Sequence, residues 1–142
     1  MTFEKIFVVK KLEQLAAYTK ELEELLELDD SQLLLSRNLH AAERLVQLAA
    51  DTMIDINQHF IRELNFQVPD ELRGTFIMMG ENEILPKKFA EKIAPLAGIR
   101  NILVHQYDDL DKNLFLRNLR NNFSDFKEYQ KHIYEYLKQL GG

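Results

Sequence analysis

Apolar residues recur along this chain at steps of three and four, and nowhere do they alternate for the length of a strand. In residues 4–28, Val8, Leu12, Leu15, Leu22 and Leu26 fall on one side, with Thr19 in the gap. Lys10, Lys11, Lys20, Glu21, Glu23 and Glu24 fall on the other. This is an amphipathic helix with one buried stripe. Asp29-Asp30-Ser31 interrupts the pattern and supplies capping side chains. Residues 37–65 carry the strongest period, through Leu39, Ala42, Val46, Ala49, Met53, Ile56, Phe60 and Leu64, widened by Leu45, Leu48 and Thr52. As one helix that stretch would be about 43 Å long. Pro69 and Asp70 end it and start a short helix over 71–79, stopped by Gly80.

Pro86 suits the first turn of the next helix, predicted over 86–106 with a stripe of Phe89, Ile93, Leu96, Ile99 and Leu103. Pro95 lies inside it and predicts a kink. After the turn Asp108-Asp109-Leu110-Asp111, a last long helix runs to Leu140 on Leu116, Leu119, Phe123, Phe126, Gln130, Ile133 and Leu137, flanked by Tyr129, Tyr134 and Tyr136. The fold expected is all-α: an antiparallel up-and-down bundle of four long helices plus one short helix, with residues 1–142 as a single domain.

Composition narrows the picture. The chain has 142 residues, 46% hydrophobic and 29% charged, which suits a globular domain with a real core. It has no cysteine, so neither a disulfide framework nor a thiolate metal site is available, and a reducing cytoplasm fits. No apolar run of about 18 residues exists to span a membrane, and the first residues do not read as a signal peptide. The net charge of −5 gives no general attraction to nucleic acid. Any RNA contact must come from local cations such as Arg44, Arg62 and Arg100.

Candidate chemistry gathers between Gly98 and Tyr107, where Arg100, Asn101, His105 and Tyr107 stand among apolar residues. Arginine offers phosphate a permanent charge and a fork of donors. Histidine can give or take a proton near neutral pH. Together they suggest a phosphodiester site. On an ideal helix Asn101 and His105 share a face, whereas Arg100 and His105 stand about 140° apart. They meet only if Arg100 reaches round, if the helix breaks near His105, or if a second copy completes the site. The plainer alternative is an Arg and a His that merely pair with carboxylates or carbonyls at a helix end. Gly98 serves either packing or the close approach of another backbone or ligand.

Elsewhere, Asp51, Asp55 and His59 follow one another at i, i+4. They read as a polar flank, or as metal ligands still lacking a fourth group. The chain has no glycine-rich phosphate loop, no His-Glu-x-x-His, no Gly-x-Ser-x-Gly and no pair of Glu-x-x-His segments. Chemistry without metal or cofactor, around Arg100 and His105, is the expectation.

Arg100-Asn101-Ile102-Leu103-Val104-His105-Gln106-Tyr107 resembles the Arg-x4-His-x-Tyr motif of HepT-like toxins in the HEPN superfamily. Ala42 to Ala49, Ile54 to His59 and the approach Pro95 to Asn101 are similar to the same family, so the likeness covers nearly the whole chain. Ile99 departs from it, standing where the family often has Phe. The resemblance implies a HEPN homodimer acting as a metal-independent endoribonuclease on RNA. Arg100 would hold the scissile phosphate, His105 would move the proton, Asn101 would orient, and the product would carry a 2′,3′-cyclic phosphate. Asp55 matches a recurrent acidic position and is a supporting residue. The resemblance also implies a type VII-like toxin–antitoxin pair, in which an MntA-type nucleotidyltransferase silences the toxin by placing AMP on Tyr107. Two alternatives remain open: a non-catalytic HEPN module that binds a nucleotidyltransferase or a nucleotide, and a structural dimer whose motif residues pair across an interface.

Overall fold

The computed structural model describes residues 4–141, so residues 1–3 and 142 of the expected domain lie outside the described residues. Regular structure among them is helical: α1 Lys5–Leu25, α2 Asp30–Leu33, α3 Ser36–Glu63, α4 Leu72–Glu81, α5 Lys87–Ile93, α6 Leu96–His105, α7 Lys112–Asn122 and α8 Ser124–Gly141, with a 3-10 turn at Tyr107–Asp109. The all-α bundle expected from the stripes is the fold observed.

The stripes are what the bundle buries. Val8, Leu12, Leu15, Thr19 and Leu22 of α1 are buried, as are Leu39, Ala42, Val46, Ala49, Met53, Ile56 and Phe60 of α3. Cross-helix contacts give the directions. Phe7 stacks on His59, and Lys11 pairs with Asp55, so α1 and α3 are antiparallel. Arg100 pairs with Asp51 and Tyr107 with Glu43, so α6 is antiparallel to α3. Gln130 reaches Thr19, and Lys127 reaches Glu23, so α8 is antiparallel to α1. The chain runs up, down, up and down, with α3 packed against α1, α4 and α6.

Two predicted long helices are each divided. Pro95 produces a break instead of a kink: it has no N–H for the ladder, and the chain crosses by tight bonds from Ala97 N to Ala94 O and from Gly98 N to Pro95 O, at 3.1 and 3.0 Å. The last helix divides at Phe123, after Asn121 and Asn122. There the Asn122 amide bonds the Asn118 carbonyl at 3.0 Å, the local competition that makes Asn a weak helix former. Gly80 does not stop α4 but lies in its last turn, where a Cβ would sit 2.6 Å from the Ala90 Cβ of α5. Asp29 caps α2 as expected and Asp111 caps α7, their carboxylates accepting from Gln32 N and Leu114 N.

A buried polar chain ties three elements together. Tyr129 of α8 is 0% exposed, and its hydroxyl lies 2.6 Å from Asn57 Oδ1 and 3.1 Å from the Met53 carbonyl oxygen. Asn57 Nδ2 donates to Thr75 Oγ1 on α4, and Thr75 donates to the Leu72 carbonyl. Burial holds the Tyr129 phenol well above its ordinary pKa. Removing only that hydroxyl in Tyr129→Phe leaves the acceptors without their donor. The variant is expected to lose about 1–3 kcal/mol of stability, read as a lower urea midpoint with unchanged helix content.

Candidate active site

The site begins with a row of polar positions on α3. Glu43, Gln47, Asp51 and Asp55 follow at i, i+4 beside the buried stripe, each step turning about 40° further round the helix, so the row winds from α6 at Glu43 and Asp51 towards α1 at Asp55. α6 lies across the first part of that row. Its partly buried residues Ile99, Leu103 and Leu96 pack against the core. Gly98, Asn101, Val104 and His105 face outward.

Arg100 turns towards α3. Its Nε donates to Asp51 Oδ1 at 2.6 Å, and one Nη donates to Asn101 Oδ1 at 3.2 Å. The side chain is 22% exposed. A charge held this far from water needs its carboxylate, and a bond through Nε fixes the plane of the guanidinium. With five N–H donors on the group, these two bonds leave the rest of the fork for an anion.

His105 is the last residue of α6 and is exposed, and among the described residues no hydrogen bond or ion pair holds it. The helix ends only after His105, beyond the Arg100–His105 interval, so the break does not carry His105 round to Arg100. Gln106 takes φ −136° and ψ 40°, and Tyr107 opens the 3-10 turn. Leaving the helical register carries the Tyr107 phenol to α3, where it donates to Glu43 Oε1 at 2.7 Å. The hydrogen bond to that carboxylate, and after it partial burial, raise the phenol above its ordinary pKa.

Asp55 is not brought to Arg100. It accepts from Lys11 Nζ at 3.0 Å, one turn or about 6 Å further along α3 than Asp51, and that turn decides which carboxylate faces α6. The row Asp51, Asp55 and His59 is thereby divided three ways. Asp51 goes to Arg100 and Asp55 to Lys11, while His59 is buried against Phe7, its ring lowered in pKa mainly by burial. Among the described residues no group of three or more His, Cys, Asp or Glu could hold a metal ion. Of the other cations, Arg44 is exposed two turns before Asp51, whereas Arg62 stands eleven residues beyond it, roughly 16 Å along the axis.

Two residues in contact with the motif lie outside it in sequence: Asp51, which stands in the row that suggested a polar flank or metal ligands, and Glu43, which lies within the segment Ala42 to Ala49. Their signal is the four-residue spacing of Glu43, Gln47, Asp51 and Asp55, which marks a second, polar contact face on α3.

An apolar groove of about 260 Å³ opens between α5–α6 and α7–α8, lined by Ile93, Leu96, Ile99, Phe115 and Leu119 among others, but Arg100, His105 and Tyr107 do not line it. The motif instead lies on open surface, and a Cβ added at Gly98 would meet nothing within 4 Å. No helix among the described residues is long and apolar enough to cross a membrane.

This fold is shared with solved structures. A tri-AMPylated HEPN toxin from Shewanella oneidensis in complex with an MNT antitoxin superimposes with a TM-score of 0.82 at 20% identity, over 91% of this chain and 97% of that one. The class of fold is therefore the helical bundle of that toxin. The model of the family described as "Ribonuclease HepT-like" matches residues 15–133, and the chain belongs to that family. The tRNA nuclease HepT of Aphanizomenon flos-aquae is 33% identical over 139 residues, 96% of this chain and 94% of the relative. The mRNA nuclease HepT of Shewanella oneidensis is 24% identical over 84 residues, 59% of this chain and 63% of the relative.

Proposed function

We propose that this chain is a metal-independent endoribonuclease and the toxin of a toxin–antitoxin pair, acting as a homodimer in the cytoplasm. The observation that carries the reading is the Arg100 guanidinium, aimed by Asp51 and Asn101 with part of its fork unused, two turns or less from an unencumbered imidazole. Relatives named as a tRNA nuclease and an mRNA nuclease point to RNA as the substrate.

His105 takes the proton from a ribose 2′-hydroxyl as that oxygen attacks the adjacent phosphorus. Arg100 stabilises the charge that builds on the phosphoryl oxygens. The 5′-oxygen leaves, and the upstream fragment keeps a 2′,3′-cyclic phosphate. Asn101 orients Arg100, and Asp51, in place of Asp55, positions it. Arg100 and His105 diverge on one helix, so a second copy laid against the Gly98–Asn101–His105 side supplies the missing half of each site. A nucleotidyltransferase partner silences the enzyme by placing AMP on Tyr107; the solved HEPN toxin with its MNT antitoxin, itself tri-AMPylated, supports that reading.

A net charge of −5 and the engagement of Arg100 by Asp51 favour a second reading, a binding module without catalysis. One assay separates the two. The purified chain is expected to cleave RNA in excess EDTA, to leave cyclic phosphate ends, and to arrest growth when expressed. RNA left intact by the unmodified chain, with no arrest, would favour the binding module. Cleavage abolished by EDTA would overturn metal independence.

A further inference from the structure

Glu43 is an unusual residue for the inside of a packed helix. It is 5% exposed, and its Oε2 has no hydrogen-bond partner among the described residues. A carboxylate buried half-satisfied costs free energy. Glutamine would accept the same bond from Tyr107 without burying a charge. What a carboxylate adds at that point is the capacity to take a proton.

The proton in front of it belongs to Tyr107, 2.7 Å away. The Tyr107 residue keeps 37% of its surface exposed, while its hydroxyl hydrogen is directed at α3. A neutral phenol is a weak nucleophile, and with its pKa raised the free phenolate is scarce at neutral pH. The proton must therefore leave as the new bond forms, to a group within hydrogen-bond reach. Among the described residues Glu43 is the one group hydrogen-bonded to that oxygen. Another candidate, His40, has its ring centroid 6.4 Å from that of Tyr107.

We propose that Glu43 is the general base for nucleotidyl transfer onto Tyr107. The proposal rests on the reading of Tyr107 as the AMP acceptor. The Tyr107 oxygen attacks the α-phosphorus of ATP held by the partner nucleotidyltransferase. The new O–P bond forms as the bond from the α-phosphorus to the bridging oxygen breaks. Pyrophosphate leaves with that electron pair, and the phenolic proton passes to Glu43 Oε1. Uptake of the proton turns a buried anion into a neutral acid, the form that burial tolerates better.

The full chain and its Glu43→Gln variant are incubated with ATP and an MNT-type nucleotidyltransferase, and AMP on Tyr107 is followed by mass spectrometry. Gln keeps the hydrogen bond that anchors the turn, so the melting temperature is expected to stay unchanged while transfer slows about 100-fold. An aryl sulfonyl fluoride supplies a second measurement with no partner enzyme: the phenol oxygen displaces fluoride from sulfur and gives up the same proton. Tyr134, 39% exposed, is an internal reference of matched accessibility. The ratio of Tyr107 to Tyr134 labelling is expected to fall at least about tenfold in the variant. Equal AMP transfer to both forms, an unchanged labelling ratio, or a loss that follows His40→Gln instead would each overturn the role of Glu43. No AMP on Tyr107 of the unaltered chain would overturn the acceptor reading, and this proposal with it.

Discussion

His105→Ala is expected to lower the rate of RNA cleavage by about a thousandfold and to leave stability within about 0.5 kcal/mol. Both halves follow from the same observation. The imidazole is exposed at the end of α6, and no hydrogen bond or ion pair among the described residues depends on it. Proton transfer is then its one contribution, and removal should spare the fold. The check is single-turnover cleavage of a defined RNA, with urea unfolding of the same preparations. Cleavage kept within about threefold of the unaltered chain would remove His105 from the reaction, since general acid–base catalysis contributes at least about a hundredfold. A large fall in stability would instead make it a structural residue of the interface.

Arg100→Lys is expected to be nearly as damaging as Arg100→Ala, with a loss of about a hundredfold to a thousandfold in the rate of the chemical step. Lysine keeps the charge but not the planar fork. Arg100 meets Asp51 through Nε and Asn101 through an Nη. A single ammonium cannot hold both contacts and still present a pair of parallel donors to a phosphate. Asp51→Asn should fall between the extremes, because an amide still accepts from Nε while withdrawing its charge. Comparison of kcat and KM across the three variants checks this. Loss confined to KM would assign Arg100 to ground-state RNA binding alone, and full activity in Arg100→Lys would make it a simple point charge.

Helices were legible in the sequence because burial at steps of three and four leaves a stripe that any bundle must use, and the stripes of α1 and α3 are the residues found inside. Where helices divide was harder to read. The apolar period continues across Pro95 and across Phe123, so nothing in the pattern marks a change of direction, and only backbone hydrogen bonding decides between a kink and a break. At the site, the motif supplied Arg100, Asn101, His105 and Tyr107, but not their acidic partners. Asp51 and Asp55 are chemically identical and one turn apart, and the choice between them depends on how far α6 slides along α3. Sequence spacing within one helix carries no information about that offset. Glu43 was hidden for a related reason: it meets Tyr107 only because the chain leaves the helix after His105.

The Tyr107 oxygen fastens the turn after His105 to α3. That oxygen rests 2.7 Å from a carboxylate shut away from water. Once esterified it has no hydrogen to offer, and it brings an anionic phosphate to the same spot. Once Glu43 has released to solvent the phenolic proton it took up, two like charges at about 4 Å and an effective dielectric of about 20 repel by about 4 kcal/mol, well beyond the roughly 1–2 kcal/mol that a lost anchoring bond represents. An adenylated Tyr107 would be ejected from its berth on α3, dragging residues 107–109 outward past the end of α6. The tag would then do more than obstruct: it would unfasten the loop that follows His105, so that silencing the enzyme and reshaping its rim become a single event.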